Sequence, residues 1–299
     1  MAAPLLPTLT RRAMMAALAA GLLPAGIRNP SRAETGSKEV TWRAAPLRRA
    51  LRSDRDAVAE LWAVNGEVPG PVLRVRAGGE LRLGLVNDTP KPLSLHWHGV
   101  RGPNGSDGVG GLTQDPIAPG GRFEYRFRPP DSGTFLVRPC VIGASAEPAE
   151  RGLCGLLIVE EATPPAVDHD IALLIDDWLL TDSGELAPFP TPGAAAWTGR
   201  LGNWISVNGR AAPDRREVAP GSRIRLRLAN ASNARSMRLL FEGLHPYVIA
   251  IDGQPTDTFE PLKASLPFAP GSRYDLVLDM PSEAGASGSV VAQIGAGVT

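Results

Sequence analysis

The 299-residue sequence predicts an all-β protein built as two tandem β-sandwiches, and three observations carry that reading. Apolar and polar residues alternate with period two in several short runs, as they do in strands with one buried face. The chain holds 33 Gly and 29 Pro and shows no long segment of 3.6-residue apolar period, so turns are many and helices few. Short motifs also recur at a fixed spacing, which points to a duplicated domain.

From the N-terminus, residues 1–33 are read as an export signal. Thr10-Arg11-Arg12 opens a basic segment, Ala13 to Ile27 is small and apolar, and Ser31-Arg32-Ala33 offers a small-x-small cleavage site. The paired arginines suggest the twin-arginine (Tat) route and hence a periplasmic protein. No run reaches the ~20 apolar residues that a spanning helix needs. Arg11, Arg12, Arg28 and Arg32 lie in this segment, which has no acid. Its removal leaves 27 basic against 31 acidic side chains, and that mildly acidic balance argues against a nucleic-acid partner.

The strands follow from alternation. Leu81, Leu83 and Leu85 alternate with Glu80, Arg82 and Gly84; Phe123, Tyr125 and Phe127 with Arg122, Glu124 and Arg126; Ile224, Leu226 and Leu228 with Arg223, Arg225 and Arg227. Val64-Asn65-Gly66 recurs as Val207-Asn208-Gly209, and Gly78 to Asn87 recurs as Gly221 to Asn230, both 143 residues on. Pro119-Gly120-Gly121-Arg122-Phe123 recurs as Pro270-Gly271-Ser272-Arg273-Tyr274, 151 residues on. The division falls near Thr163-Pro164-Pro165, giving a first domain over residues 34–163 and a second over 164–299.

Chemistry concentrates at Leu95-His96-Trp97-His98-Gly99. The chain has four histidines, and two stand here one residue apart. In a strand, residues i and i+2 share a face and lie about 6.6 Å apart, so both imidazoles point into one space. Neutral imidazole is a good ligand for copper, zinc or iron, whereas two ordinary half-buried strand histidines are the plainer alternative. Carried forward by 143 residues, His96 and His98 fall on Leu239 and Phe241, so the second copy is expected to be metal-free. His169 and His245 are isolated and read as ordinary loop or edge histidines. Asp176-Asp177-Trp178 ends an apolar strand and reads as the beginning of a turn.

The ordered series His96-Trp97-His98-Gly99, Asp107-Gly108, Thr113-Gln114, Pro116-Ile117, Pro119-Gly120, Gly133-Thr134-Phe135 and Gly152-Leu153-x-Gly155 resembles the first cupredoxin domain of the multicopper oxidases, which include the laccases and the bacterial copper-efflux oxidases. The resemblance implies two Greek-key, plastocyanin-like sandwiches and copper as cofactor. It also implies one-electron oxidation of phenols, amines or Cu(I), coupled to reduction of dioxygen to water. By the same resemblance His96 matches a type 2 and His98 a type 3 copper ligand.

The sequence also departs from that family. A second His-x-His run follows Gly-Thr-Phe in the family, but here Gly133-Thr134-Phe135 leads to Arg138-Pro139-Cys140. Arginine cannot become a ligand. Three readings stand open for Cys140: a thiolate ligand for Cu(I), a disulfide partner of Cys154, or a buried thiol. No third cupredoxin copy with its His-Cys-His motif is visible before Thr299. The metal ligands expected here are therefore His96 and His98, with Cys140 as the one candidate addition, no catalytic residue is assigned, and the chain alone is expected to be inactive. Its partners would be a small-molecule or Cu(I) reductant and O2. Either self-association or a separate C-terminal polypeptide would cover the face around the two histidines, which the missing copy would otherwise leave bare. The competing function is that of a copper-free structural or interaction protein, as in an exported cell-division member of the superfamily.

Overall fold

The computed structural model describes residues 38–53, 57–189 and 199–294. The proposed export signal lies outside these residues. The first sandwich begins with β1 (Lys38–Arg49), β2 (Ala59–Val64), β3 (Leu73–Arg76) and β4 (Leu81–Asn87). It continues with β5 (Leu95–His98), β6 (Arg122–Phe127), β7 (Gly133–Pro139) and β8 (Gly155–Glu160), with a single helical turn, α1 (Ala146–Glu150), between β7 and β8. The sheet β2-β1-β4-β6 packs over the sheet β3-β8-β7-β5. One core joins them, holding Trp42, Leu81, Leu83 and Leu85 from the first sheet and Trp97, Phe135, Val137 and Leu157 from the second. The alternation that predicted β4 is kept, its leucines buried and Arg82 and Gly84 half-buried.

The second sandwich comprises β9 (His169–Trp178), β10 (Trp204–Val207), β11 (Arg210–Ala211), β12 (Arg223–Asn230) and β13 (Met237–Glu242). It is completed by β14 (Pro246–Ile251), β15 (Gln254–Phe259), β16 (Ser265–Phe268), β17 (Arg273–Asp279) and β18 (Ser289–Gln293). A seven-stranded sheet β11-β10-β9-β12-β17-β14-β15 packs over the sheet β16-β13-β18. Thr163-Pro164-Pro165 lies in the strand-free stretch between β8 and β9.

The repeat is visible in the registers. Parallel pairing of β1 with β4 sets Lys38 beside Leu81, and parallel pairing of β9 with β12 sets His169 beside Ile224, the residue 143 positions on. The offset then slips. Leu239 and Phe241 point into the second core, as Leu95 and Trp97 do in the first, so they do not stand where the histidines stand. The connection from β12 to β13 is one residue shorter than that from β4 to β5, and a one-residue shift turns every side chain to the other face. On either alignment β13 offers no histidine.

The two sandwiches meet through the outer face of β7 and β8. Leu136, Cys154 and Leu156 pack against Leu174, Ala229 and Ala231. Beside this apolar contact lies an ionic one centred on Thr134. Its hydroxyl donates to Asp275 (2.6 Å) and accepts from Arg227 (3.0 Å). Asp275 also accepts from Arg225 (2.6 Å) and Arg227 (2.8 Å), and Glu161 and Asp170 complete the neutralisation of the two guanidiniums. Buried charges are tolerated where each is paired in this way.

Candidate metal centre

β5 is anchored by its inward-facing residues. Trp97 is 2% exposed and packs edge-on to Tyr125 at 5.5 Å and against Phe127 at 5.1 Å between ring centroids. The backbone N–H of Leu95 donates to the Tyr125 hydroxyl at 2.9 Å. Burial pushes the Tyr125 phenol up to about 12, so it stays a neutral partner. With Leu95 and Trp97 committed to the core, strand alternation turns His96 and His98 to the opposite face. Their ring centroids are 6.1 Å apart and their planes nearly perpendicular at 87°.

The two imidazoles are held differently. His96 Nδ1 lies 2.9 Å from the carbonyl oxygen of Asp107 and 3.5 Å from its carboxylate. A carbonyl can only accept, so Nδ1 carries the proton and Nε2 keeps its lone pair, which is how a metal-binding histidine is usually oriented. The loop that supplies this carbonyl can approach because of Gly108, at φ +82°, where a Cβ would stand 1.7 Å from the carbonyl oxygen of Leu95. His98 is half-buried, and desolvation, reinforced by the charges of Arg273 and Arg138, pushes its imidazole down to about 4. It is neutral at physiological pH. Its Nε2 faces Gly271 of the second sandwich, and a Cβ built there would stand 3.1 Å away. The His98 ring is therefore partly covered within the chain, and both imidazoles keep part of their surface exposed.

Across the strand pair, β5 and β7 run antiparallel with His96 opposite Arg138 and His98 opposite Leu136. Arg138 thus occupies the position directly facing the first imidazole. The ladder extends one step further, the Cys140 N–H donating to the Ser94 carbonyl at 3.1 Å. Both cysteines are free, which removes the disulfide reading. Burial pushes the Cys140 thiol up and the fully buried Cys154 thiol further, against the thiolate form that binds metal. His169 opens β9 and His245 lies in the loop before β14, both exposed.

Asp176 and Asp177 are not at a turn, because the end of β9 is still paired, Trp178 with Trp204 of β10. Both carboxyls are buried, and Asp177 accepts from Arg235 (2.8 Å) and from the Gly202 N–H (2.6 Å). Burial raises the Asp176 carboxyl well above its ordinary value.

The chemistry of this donor set fits a two-imidazole share of a copper site. Among the described residues no three His, Cys, Asp or Glu side chains gather into a metal-holding group, Cys140 included, so they do not complete a copper centre. Three residues that shape the site were not assigned a part by sequence reasoning: Asp107, Gly271 and Arg273. The last two lie in the recurring Pro-Gly-x-Arg turn, the one signal that marked them.

The multicopper oxidase family matches twice, over residues 48–164 and 169–289. Laccase-1 of Cryptococcus neoformans var. neoformans serotype D is 29% identical over 262 residues, which cover 78% of this chain and 40% of that protein. Multicopper oxidase MmcO of Mycobacterium tuberculosis is 29% identical over 239 residues, covering 71% of this chain and 46% of that one. Among solved structures, the multi-copper oxidase of Pseudomonas thermotolerans superposes with a TM-score of 0.79 at 34% identity, over 85% of this chain and 61% of that one. That of Pseudomonas parafulva gives 0.77 at 36%, with the same coverage. The chain spans less than half the length of these two curated relatives. With matches to one family over both sandwiches, the chain belongs to the multicopper oxidases.

Proposed function

We propose that the first sandwich contributes His96 and His98 to a copper centre completed by groups other than the described residues, and that the whole protein carries out the family reaction. That reaction is one-electron oxidation of a phenol, an amine or Cu(I), with dioxygen as final acceptor. The observation that carries this reading is the His96 ring, whose Nδ1 is tied to Asp107 O at 2.9 Å so that Nε2 is the free ligand nitrogen, beside a His98 that stays neutral. A bound copper would supply one-electron redox chemistry. The chain's own part is to orient the two imidazoles, His96 through the Asp107 carbonyl, and to keep His98 unprotonated by half-burying it beside Arg273 and Arg138. Cys140 is left out of the ligand set because, among the described residues, it does not gather with the two histidines into a group that could hold a metal ion.

Family membership and the export-signal pattern together support a periplasmic location reached by the Tat route. No helix among the described residues is long and apolar enough to cross a membrane. The second reading, a copper-free structural or interaction protein, is favoured by one observation: Arg138 stands opposite His96, where its charge repels a cation. Copper analysis of the purified protein, with Cu(II) electron paramagnetic resonance of the wild type and of the His96→Ala, His98→Ala double variant, separates the two. Stoichiometric copper with nitrogen hyperfine structure that the double variant loses is the expected result. Equal spectra from both proteins would favour the copper-free reading.

A further inference from the structure

The second sandwich carries no ligand histidine, yet its Pro270-Gly271-Ser272-Arg273 turn reaches the histidine strand. The Arg273 side chain is 3% exposed. Its Nε donates to the Thr134 carbonyl of β7 (3.1 Å), its Nη1 to the Gly271 carbonyl (2.8 Å) and its Nη2 to the Asp252 carbonyl (2.6 Å). One guanidinium thereby joins β7, the partner of β5, to two turns of the other sandwich. It also passes so close to Gly99, the residue after His98, that a Cβ there would stand 2.2 Å from Nη2. On the far side of the same turn, the absence of a side chain at Gly271 leaves open the space at His98 Nε2.

The first copy provides the contrast. Arg122, in the equivalent turn, is exposed, and Gly120 has nothing within 4 Å of a built Cβ. The same local motif is thus a plain surface turn in one sandwich and a bracket around His98 in the other.

We propose that Arg273 and Gly271 are positioning residues for His98. Arg273 fixes the end of β5 through Thr134 and Gly99, and Gly271 keeps the Nε2 side of the ring open to a ligand atom. The proposal takes His98 as a ligand, as above, so its test includes a measurement that needs no metal. In the full metal-free chain, carbethoxylation of each of the four histidines by diethyl pyrocarbonate is followed by peptide mass spectrometry. Gly271→Ala should slow modification of His98 severalfold by filling the space beside Nε2. Arg273→Gln should speed it severalfold by loosening the strand end, with Arg273→Lys in between. His96, His169 and His245 should react as in the wild type. Gly120→Ala reproduces the backbone strain of a positive-φ turn (φ +77°) away from the site and should change nothing at His98. Wild-type His98 rates in both Gly271→Ala and Arg273→Gln, or an equal change in Gly120→Ala, overturn the proposal. A parallel Cu(II) titration, read as broadening of the His96 and His98 ring resonances, tests the copper reading separately. Absence of broadening in the wild type would defeat that reading and leave the carbethoxylation result to decide the positioning role.

Discussion

His98 sits among groups that all oppose its protonation: a half-buried setting, the Arg273 guanidinium behind it, Arg138 across the strand pair and His96 beside it, against which Asp252 works only weakly. Its midpoint of about 4 lies below the ordinary histidine value of about 6.5. The unfolded chain therefore takes up this proton first as pH falls. The contribution of His98 to stability is full above about 6.5 and is lost progressively as pH drops toward about 4. In a proton NMR titration with only four histidines to assign, the His98 ring should still be neutral at pH 5. A midpoint near the ordinary value would show that the ring is solvated and that the Gly271 contact is absent in solution. The sequence disclosed which two histidines share a face but not this shift, because Arg273 lies 175 residues away in the chain and reaches the ring only through the docking of one sandwich on the other.

At the scale of elements, β5 and β7 decide what the site can hold. The strand and its face were legible, since alternating Leu95 and Trp97 select the core and leave the histidines outside it. The ligand deficit was legible too, because Arg138 and Cys140 fill the places of the family's second histidine pair, and the register sets Arg138 opposite His96. Replacing Arg138→His together with Cys140→His should therefore tighten copper binding severalfold in an isothermal titration. Unchanged affinity would mean that these two side chains do not turn toward the imidazoles. Less legible was the second copy. A constant offset set Leu239 and Phe241, rightly marked as core residues, level with the histidines, whereas the shorter β12–β13 connection puts them on the strand face that corresponds to Leu95 and Trp97. A sequence offset counts residues and is blind to which way a strand faces, so one deleted loop residue was enough to mislead it. The Asp176-Asp177 pair was misjudged for a related reason. Acidic residues suggest a turn until a partner strand and a buried arginine such as Arg235 are known to receive them.

For the whole molecule, the joint between the sandwiches is where stability and site geometry meet. Asp275 accepts from Thr134, Arg225 and Arg227 in a setting where its side chain is 2% exposed. Asp275→Ala leaves buried guanidinium groups short of a partner and should cost about 3–5 kcal/mol in urea unfolding, the range for breaking a buried ion pair from one side. The exposed pair Arg223 and Asp279 lies on the same two strands, yet Asp279→Ala should cost about 1 kcal/mol or less. Similar losses from the two variants would mean that the joint is hydrated and the two sandwiches nearly independent.

The place of Thr134 in this joint also constrains how such a chain can change by recombination. The Gly-Thr-Phe strand belongs to the first sandwich, but its threonine reads Arg227, Arg273 and Asp275 of the second. A crossover in the strand-free stretch between β8 and β9 would keep both sandwiches whole and still part Thr134 from the residues fitted to it. Chimaeras joined there should survive only when the incoming half brings the same three partners, although each half has its own core.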